Sequence, residues 1–266
     1  MPSRQQDIQR ITAALHKAQD ILKDYTPGMV AVADKGGRSD FNPVTEADTR
    51  VNDALQSLLH TGGDGWLSEE TADDPARLKH RRVWVVDPLD GTKEFVAGIP
   101  EWSVSIALVE DGRAVAGGVC NPQSGETVIG SLETGVTYNG LPARPSQRVS
   151  LEGAVVPASR SEIRRGEWER FRDCGFEVRP TGSVAYKLAL VAAGRVDAAW
   201  TLCPKHEWDV AAGVALIQAV GGIVVTLESV APSFNRPDTL FSGLIAAPRS
   251  LAPAVADLLA IRIAVD

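Results

Sequence analysis

Trp84-Val85-Val86-Asp87-Pro88-Leu89-Asp90-Gly91-Thr92-Lys93-Glu94-Phe95 is the stretch that decides how this chain is read. Val83–Val86 has the apolar continuity of a buried strand. Asp87 stands where that strand emerges. Pro88 has no N–H for a ladder bond, so it is expected to end the strand and turn the chain. Asp90 follows three residues after Asp87, so both carboxylates face one point. Two carboxylates held together repel unless one is protonated or a cation bridges them. Oxygen donors alone suit Mg²⁺ or Mn²⁺ rather than zinc. Gly91 lets the backbone close on a ligand, and Thr92 puts a hydroxyl beside the same point. Asp-Pro and Asp-Gly are also ordinary turn dipeptides, so the first part of the string leaves a plain turn open.

Working outward, a second acidic stretch precedes it, Trp66-Leu67-Ser68-Glu69-Glu70. Far downstream comes Glu207-Trp208-Asp209-Val210-Ala211-Ala212-Gly213, backed by Gly221-Gly222. Asp209 falls at the start of an expected helix. There it is an N-cap or a further metal ligand that ties the second half of the chain to the first. Thr45-Glu46-Ala47-Asp48 has the spacing of a helix capping box. Gly182-Ser183 opens another expected helix, whose unpaired N–H groups suit an anion, although a serine there equally serves as a cap. Lys187 lies one turn on, either on a solvated face or as a cationic contact.

Composition narrows the class. The chain has 266 residues, 44% hydrophobic and 23% charged, which gives ample material for a core and excludes a disordered or fibrous chain. The net charge of −7, with no Lys/Arg run, argues against a nucleic acid polymer as partner. An anionic substrate would need a cation or a local basic patch. Cys120, Cys174 and Cys203 are widely spaced and make neither a disulfide framework nor a zinc knuckle. The polar N-terminal segment lacks the apolar core of a signal peptide. No run of about 18 apolar residues offers a membrane span. The expected compartment is the cytoplasm.

Helices are expected over 7–25, from Thr45 to Gly62-Gly63, and at about 161–172, 183–193, 209–220 and 250–261. The stretch 27–43, with Gly36-Gly37, reads as loop. Strands are expected at Val83–Val86, Val104–Val109, Ala114–Val119 and Thr127–Ile129, in a largely antiparallel sheet. Further strands fall at Val155-Val156, Phe176–Val178, Ala198–Trp200, Ile223–Val225 and Leu244–Ala246. The alternation in the second half implies helices layered on a sheet. The chain reads as one structural unit, 1–266. A composition shift near Pro142–Ser150 divides it into lobes 1–145 and 146–266, the first carrying the metal site and the second capping the substrate. His16, His60 and His80 read as surface residues, and His206 as scaffold or a substrate contact. Trp66, Trp84, Trp102 and Trp208 read as core, as does Cys120.

Glu69-Glu70, the 87–92 string and Trp208-Asp209 resemble the three signature regions of the inositol monophosphatase superfamily, in order and at the right spacings over nearly the whole chain. Gly91-Thr92-Lys93-Glu94-Phe95 and Glu207-Trp208-Asp209 are most similar to its 3'(2'),5'-bisphosphate nucleotidase branch. Ala97 departs from the polar residue that many relatives carry there. The resemblance implies a Mg²⁺-dependent, lithium-sensitive phosphomonoesterase with a layered α/β fold: α+β lobes in alternating α-β-α-β-α layers, the sugar phosphatase fold. It implies two or three Mg²⁺ ions, with Mn²⁺ as a substitute. Glu69, Asp87 and the Leu89 carbonyl match one metal site; Asp87, Asp90 and Asp209 match a second. Thr92 and Asp48 match the pair that activates water, with Glu69 also in the catalytic set. Glu69, Leu89, Asp90, Gly91, Thr92 and Asp209, with Gly182, Ser183 and Lys187, make up the expected substrate contacts. A homodimer is a further expectation. The inositol-specific enzymes place a glutamate seven residues before the aspartate of Trp-Asp, and here that position is Leu202. Adenosine 3',5'-bisphosphate is therefore the expected substrate, with inositol or histidinol phosphate as the alternative. A non-catalytic metal- or nucleotide-binding protein is the reading from another class.

Overall fold

The computed structural model describes residues 2–35 and 43–262, and the Gly36-Gly37 pair of the expected loop lies outside the described residues. Helix α1 (Arg4–Leu22) is closed at its start by a Ser3/Gln6 capping box. β1 (Val32–Asp34) and β2 (Pro43–Thr45) then pair antiparallel, where only loop was expected. Helix α2 (Glu46–Leu59) follows.

One sheet takes its strands in chain order: β3 (Gly65–Ser68), β4 (Arg82–Asp90), β5 (Ser103–Glu110), β6 (Arg113–Asn121), β7 (Glu126–Ser131), β8 (Gly135–Tyr138) and β9 (Leu141–Pro142). β3 runs parallel to β4, and every later neighbour is antiparallel. A single helical turn, α3 (Thr92–Val96), lies between β4 and β5. The second half contains β10 (Val155–Ala158), α4 (Arg160–Arg164), β11 (Glu177–Pro180), α5 (Val184–Ala192), β12 (Ala199–Thr201), β13 (Lys205–His206), α6 (Glu207–Ala219), β14 (Ile223–Thr226), β15 (Leu240–Phe241), β16 (Leu244–Ala247) and α7 (Ala252–Leu259). β12, β16 and β14 form a second antiparallel sheet, with β16 in the middle.

Side-chain alternation along the strands sets the layers. On β4, Trp84 and Val86 join Ile11, Leu15, Val51 and Leu55 in one apolar cluster under α1 and α2. Val83 and Val85 point the other way, to Leu188, Val210 and Leu216 of α5 and α6. β16 repeats the device: Leu244 and Ala246 face α5 and α6, while Ile245 and Ala247 face Trp168, Trp200 and Val255. The order is helix, sheet, helix, sheet, helix, the layered α/β architecture expected. The α5–α6 cluster contains residues from Leu67 to Ala246, so both halves of the chain share it.

Some local expectations need correction. β4 runs on through Pro88 to Asp90. The proline sits in a register shift between Asp87 and Asp90, where no ladder N–H is required. The helix expected at 161–172 is only α4 and a 3₁₀ turn at Glu169–Phe171. Gly166, at φ +78°, breaks it, which turns Trp168 and Phe171 into the aromatic cluster around Trp200. Cys120 is buried, as expected, and burial pushes its thiol up to about 12. Among the described residues, no helix is long and apolar enough to cross a membrane.

Two adjacent glycines on β6 fix how closely the helices approach. A Cβ at Gly117 would lie 2.5 Å from the Ala212 carbonyl oxygen, on α6, and one at Gly118 would meet Ile11 and Leu15 of α1. All the atoms that the Gly117 Cβ would meet are backbone atoms of Ala212, so α6 itself would have to shift. Gly117→Ala is expected to cost about 1–3 kcal/mol, read as a fall in melting temperature. An unchanged melting temperature would show that α6 is not held at this distance.

Candidate active site

The end of β4 and the start of α6 bring three carboxylates together. One oxygen from each of Asp87, Asp90 and Asp209 lies within 4.8 Å of the others. Each aspartate also spends an oxygen on a protein donor. Asp87 Oδ1 accepts the Leu89 N–H at 3.0 Å. Asp209 Oδ2 accepts the His206 N–H at 2.9 Å, closing the start of α6. Asp90 Oδ2 accepts the Ser183 hydroxyl at 2.6 Å and the Ala185 N–H at 2.7 Å. The N-cap is His206 and not Asp209, which closes the capping box from the N3 position; a carboxylate has two oxygens, so this bond leaves one for a ligand.

Burial and mutual repulsion raise the proton affinity of the cluster. Asp87 is raised well above the ordinary carboxylate value by burial, then by Glu69, Asp90 and Asp209. Asp209 is pushed up to about 8 by burial and then by Asp90. Asp90 is raised by burial against the bonds from Ser183 and Ala185. Like charges this close stay buried together only when one takes a proton or something positive joins them. Convergent, hard, oxygen-only donors fit Mg²⁺.

Beside the cluster, Gly91 turns the chain at φ +95°. A Cβ there would press on Glu101 and Trp102 at 3.3 Å. Thr92 follows, and its hydroxyl lies 3.0 Å from both Asp48 Oδ1 and the Leu89 carbonyl. The other Asp48 oxygen accepts the Thr45 N–H and hydroxyl at 2.8 and 2.6 Å. The capping box and the contact with Thr92 coexist in one carboxylate. Burial raises the Asp48 carboxyl, against these bonds.

Glu69 lies outside the tight trio. Its Oε1 takes an ion pair from Lys35 at 2.9 Å, and Lys35 also pairs with Glu70. Glu69 nevertheless raises both Asp87 and Asp209, so its charge reaches the same space. Lys35 had no signal in the sequence: it sits in a stretch read as loop, with no spacing to tie it to Glu69.

The expected second-lobe contacts are placed differently from the reading. Lys187 is only 3% exposed. Burial brings its ammonium down to about 8, with Glu162, Asp90 and Glu94 opposing. It is an internal cation facing carboxylates, not a surface contact for an incoming anion. The Ala185 N–H at the start of α5 is likewise taken, by the Asp90 carboxylate, and Ser183 Oγ caps Tyr186 N at 2.9 Å. Gly182 allows the close approach, since a Cβ there would meet Glu94 Cγ at 2.5 Å. Leu202 packs at the edge of the aromatic cluster. His206 stacks on Trp208 with ring centroids 4.4 Å apart and meets Thr239 Oγ1 through Nδ1 at 2.8 Å. Burial lowers the imidazole, which favours its neutral form.

Comparison with known proteins agrees with the fold. A model of the inositol monophosphatase family matches residues 4–263. The inositol-1-monophosphatase of Mesorhizobium japonicum is 34% identical over 228 residues, 82% of this chain and 84% of that protein. The Nus factor SuhB of Pseudomonas aeruginosa is 39% identical over 198 residues, 68% of this chain and 71% of that protein. Among solved structures, an IMPase from Thermotoga maritima superposes with a TM-score of 0.81 at 28% identity, covering 97% of both chains.

Asp87→Asn tests the charge balance without substrate. Removing one of three repelling charges is expected to raise the melting temperature of the metal-free protein. It is also expected to cut the stabilisation by Mg²⁺, which at 100 times Kd is worth about 2.7 kcal/mol. A variant that still gains as much from Mg²⁺ as the wild type would remove Asp87 from the ligand set.

Proposed function

The chain belongs to the inositol monophosphatase family, a family of metal-dependent phosphomonoester hydrolases, and from that premise we propose that it cleaves its ester at the Asp87–Asp90–Asp209 cluster. The observation that carries this reading is the convergence of those three carboxylates beside the Thr92–Asp48 pair. Glu69, Asp87 and the Leu89 carbonyl would hold one Mg²⁺; Asp87, Asp90 and Asp209 would hold a second. Mg²⁺ bound there supplies positive charge to the phosphate oxygens and acidifies water.

Thr92 and Asp48 handle the proton. The Thr92 hydroxyl has two acceptors at 3.0 Å, Asp48 Oδ1 and the Leu89 carbonyl; with that carbonyl given to Mg²⁺, its hydrogen would go to Asp48 and its lone pairs could accept from a water. A proton taken from that water passes through Thr92 Oγ1 to Asp48. Thr45 holds Asp48 in register. Burial makes the Asp48 carboxylate a better acceptor than an exposed one.

For the substrate, we favour a 3'(2'),5'-bisphosphate nucleoside such as adenosine 3',5'-bisphosphate. Support comes from Lys93-Glu94-Phe95, from Glu207 before Trp208, and from Leu202, which offers a sugar hydroxyl no hydrogen bond. A site that lacks an expected polar partner discriminates strongly. Since Lys187 is internal, we assign the second phosphate to Lys205 on β13, whose charge reaches Asp209. Inositol 1-phosphate is the second reading, supported by the name of the relative at 34% identity.

Asp90→Asn is expected to lower kcat/KM by about 10²–10³-fold, with an unchanged circular dichroism spectrum. Retention of more than about a tenth of wild-type kcat/KM, a loss below ~1.4 kcal/mol, would refute the assignment. The ratio of kcat/KM for adenosine 3',5'-bisphosphate over inositol 1-phosphate is expected to exceed one, and to fall in Lys205→Ala. A ratio below one transfers the substrate to the inositol class. No phosphate release from any ester with Mg²⁺ present would support a non-catalytic binding protein.

A further inference from the structure

Resting on the reading of Asp90 as a cation ligand, we propose that Ser183, backed by Ser103, is a positioning residue that fixes the Asp90 carboxylate for that role. Ser183 sits at φ +52° and ψ 119°. A glycine would adopt that conformation more readily. Strain of this kind persists where the surroundings over-determine it, and it gathers at working sites.

The hydrogens around Ser183 can be assigned. Its Oγ lies 2.6 Å from Asp90 Oδ2, 2.9 Å from Tyr186 N and 2.9 Å from Ser103 Oγ. A carboxylate accepts and a backbone amide donates, so the one Ser183 hydrogen goes to Asp90. Ser103 must then donate to Ser183. The Ser183 oxygen carries a full set of partners, with one bond donated and two accepted. The hydroxyl has no freedom to turn away from Asp90.

Ser103 is fully buried and is the cross-strand partner of Asp90 at the start of β5. It links the sheet to α5 through Ser183. Ala185 N–H adds the second donor on Asp90 Oδ2. With Oδ2 held twice, the carboxylate plane is set, and Oδ1 keeps a constant direction. A cap alone would not demand serine here, since glycine serves as an N-cap at a loss of a few tenths of a kcal/mol. Alanine would keep the strain and lose the bond. Serine is the residue that keeps a donor aimed at Asp90.

The test is titration calorimetry of the metal-free full chain with Mg²⁺ and no substrate. It compares the wild type with Ser183→Gly, Ser103→Ala and Asp90→Asn. Both serine variants are expected to raise the Mg²⁺ Kd about tenfold or more. Ser183→Gly is expected to keep its metal-free melting temperature within about 2 °C. Serine variants within about twofold of the wild type, beside an Asp90→Asn variant that loses Mg²⁺, overturn the positioning role and leave the family site standing. Asp90→Asn titrating like the wild type overturns both. Weaker binding that tracks an equal loss of melting temperature in both serine variants also overturns the positioning role, because it would mark a packing effect.

Discussion

Repulsion among Asp87, Asp90 and Asp209 is the constraint around which this structure is arranged. Left to themselves, three carboxylates with oxygens within 4.8 Å would separate or take up protons. They stay because each is anchored by a different element. Asp87 is held by the backbone of its own strand, Asp90 by the start of α5, and Asp209 by the start of α6. Two of these anchors are helix N-termini, whose partial positive charge favours an anion by about 0.3–1 kcal/mol each. The layered fold is what delivers both N-termini to one point. α5 and α6 lie side by side between the two sheets and are clamped by the apolar cluster they share.

The same constraint explains details of the sheet. Asp90 has to reach across to α5 while Asp87 stays in line with β4. The register shift at Pro88 supplies the extra length and the change in direction. Gly117 supplies the close seat for α6, and Gly182 the close seat for the chain entering α5. None of these three residues has a polar side chain, yet they set how closely the elements around the site approach.

Much of this was legible in the sequence. The 87–92 string read as more than a turn only beside Glu69-Glu70 and Trp208-Asp209, since Asp-Pro and Asp-Gly alone are ordinary turn dipeptides, and the structure brings Asp87, Asp90 and Asp209 together. Thr45 and Asp48 were legible as a capping box, and Asp48 with Thr92 as the expected water-activating pair; the Asp48 carboxylate bonds to both threonines. The alternation of strands and helices implied helices layered on a sheet, and the order of five layers was what the family resemblance implied. Lys187 was read as a solvated residue or a substrate contact, and its burial was missed because spacing gives a helix but not its burial. A signal was there: α5 runs Val-Ala-Tyr-Lys-Leu-Ala-Leu-Val-Ala, apolar on all sides, and such a helix is interior. Any lysine in it is internal too. Lys35 had no such signal, because its partners lie 34 and 35 residues away and loop positions have no periodicity.

The anchoring also bears on which cation the site would prefer. A carboxylate with one oxygen committed to a protein donor offers the other from a fixed direction and resists swinging into a bidentate grip. Ca²⁺ takes six to eight oxygens and accepts bidentate carboxylates in flexible geometry. Mg²⁺ requires a near-octahedral shell and keeps several waters, so it needs only one oxygen from each of a few carboxylates. Asp87, Asp90 and Asp209 each have one oxygen committed in this way. The site is thus built to present single oxygens at fixed angles. Any preference for the smaller ion would then come from bonds made behind the ligands, because the donor types alone would not supply it.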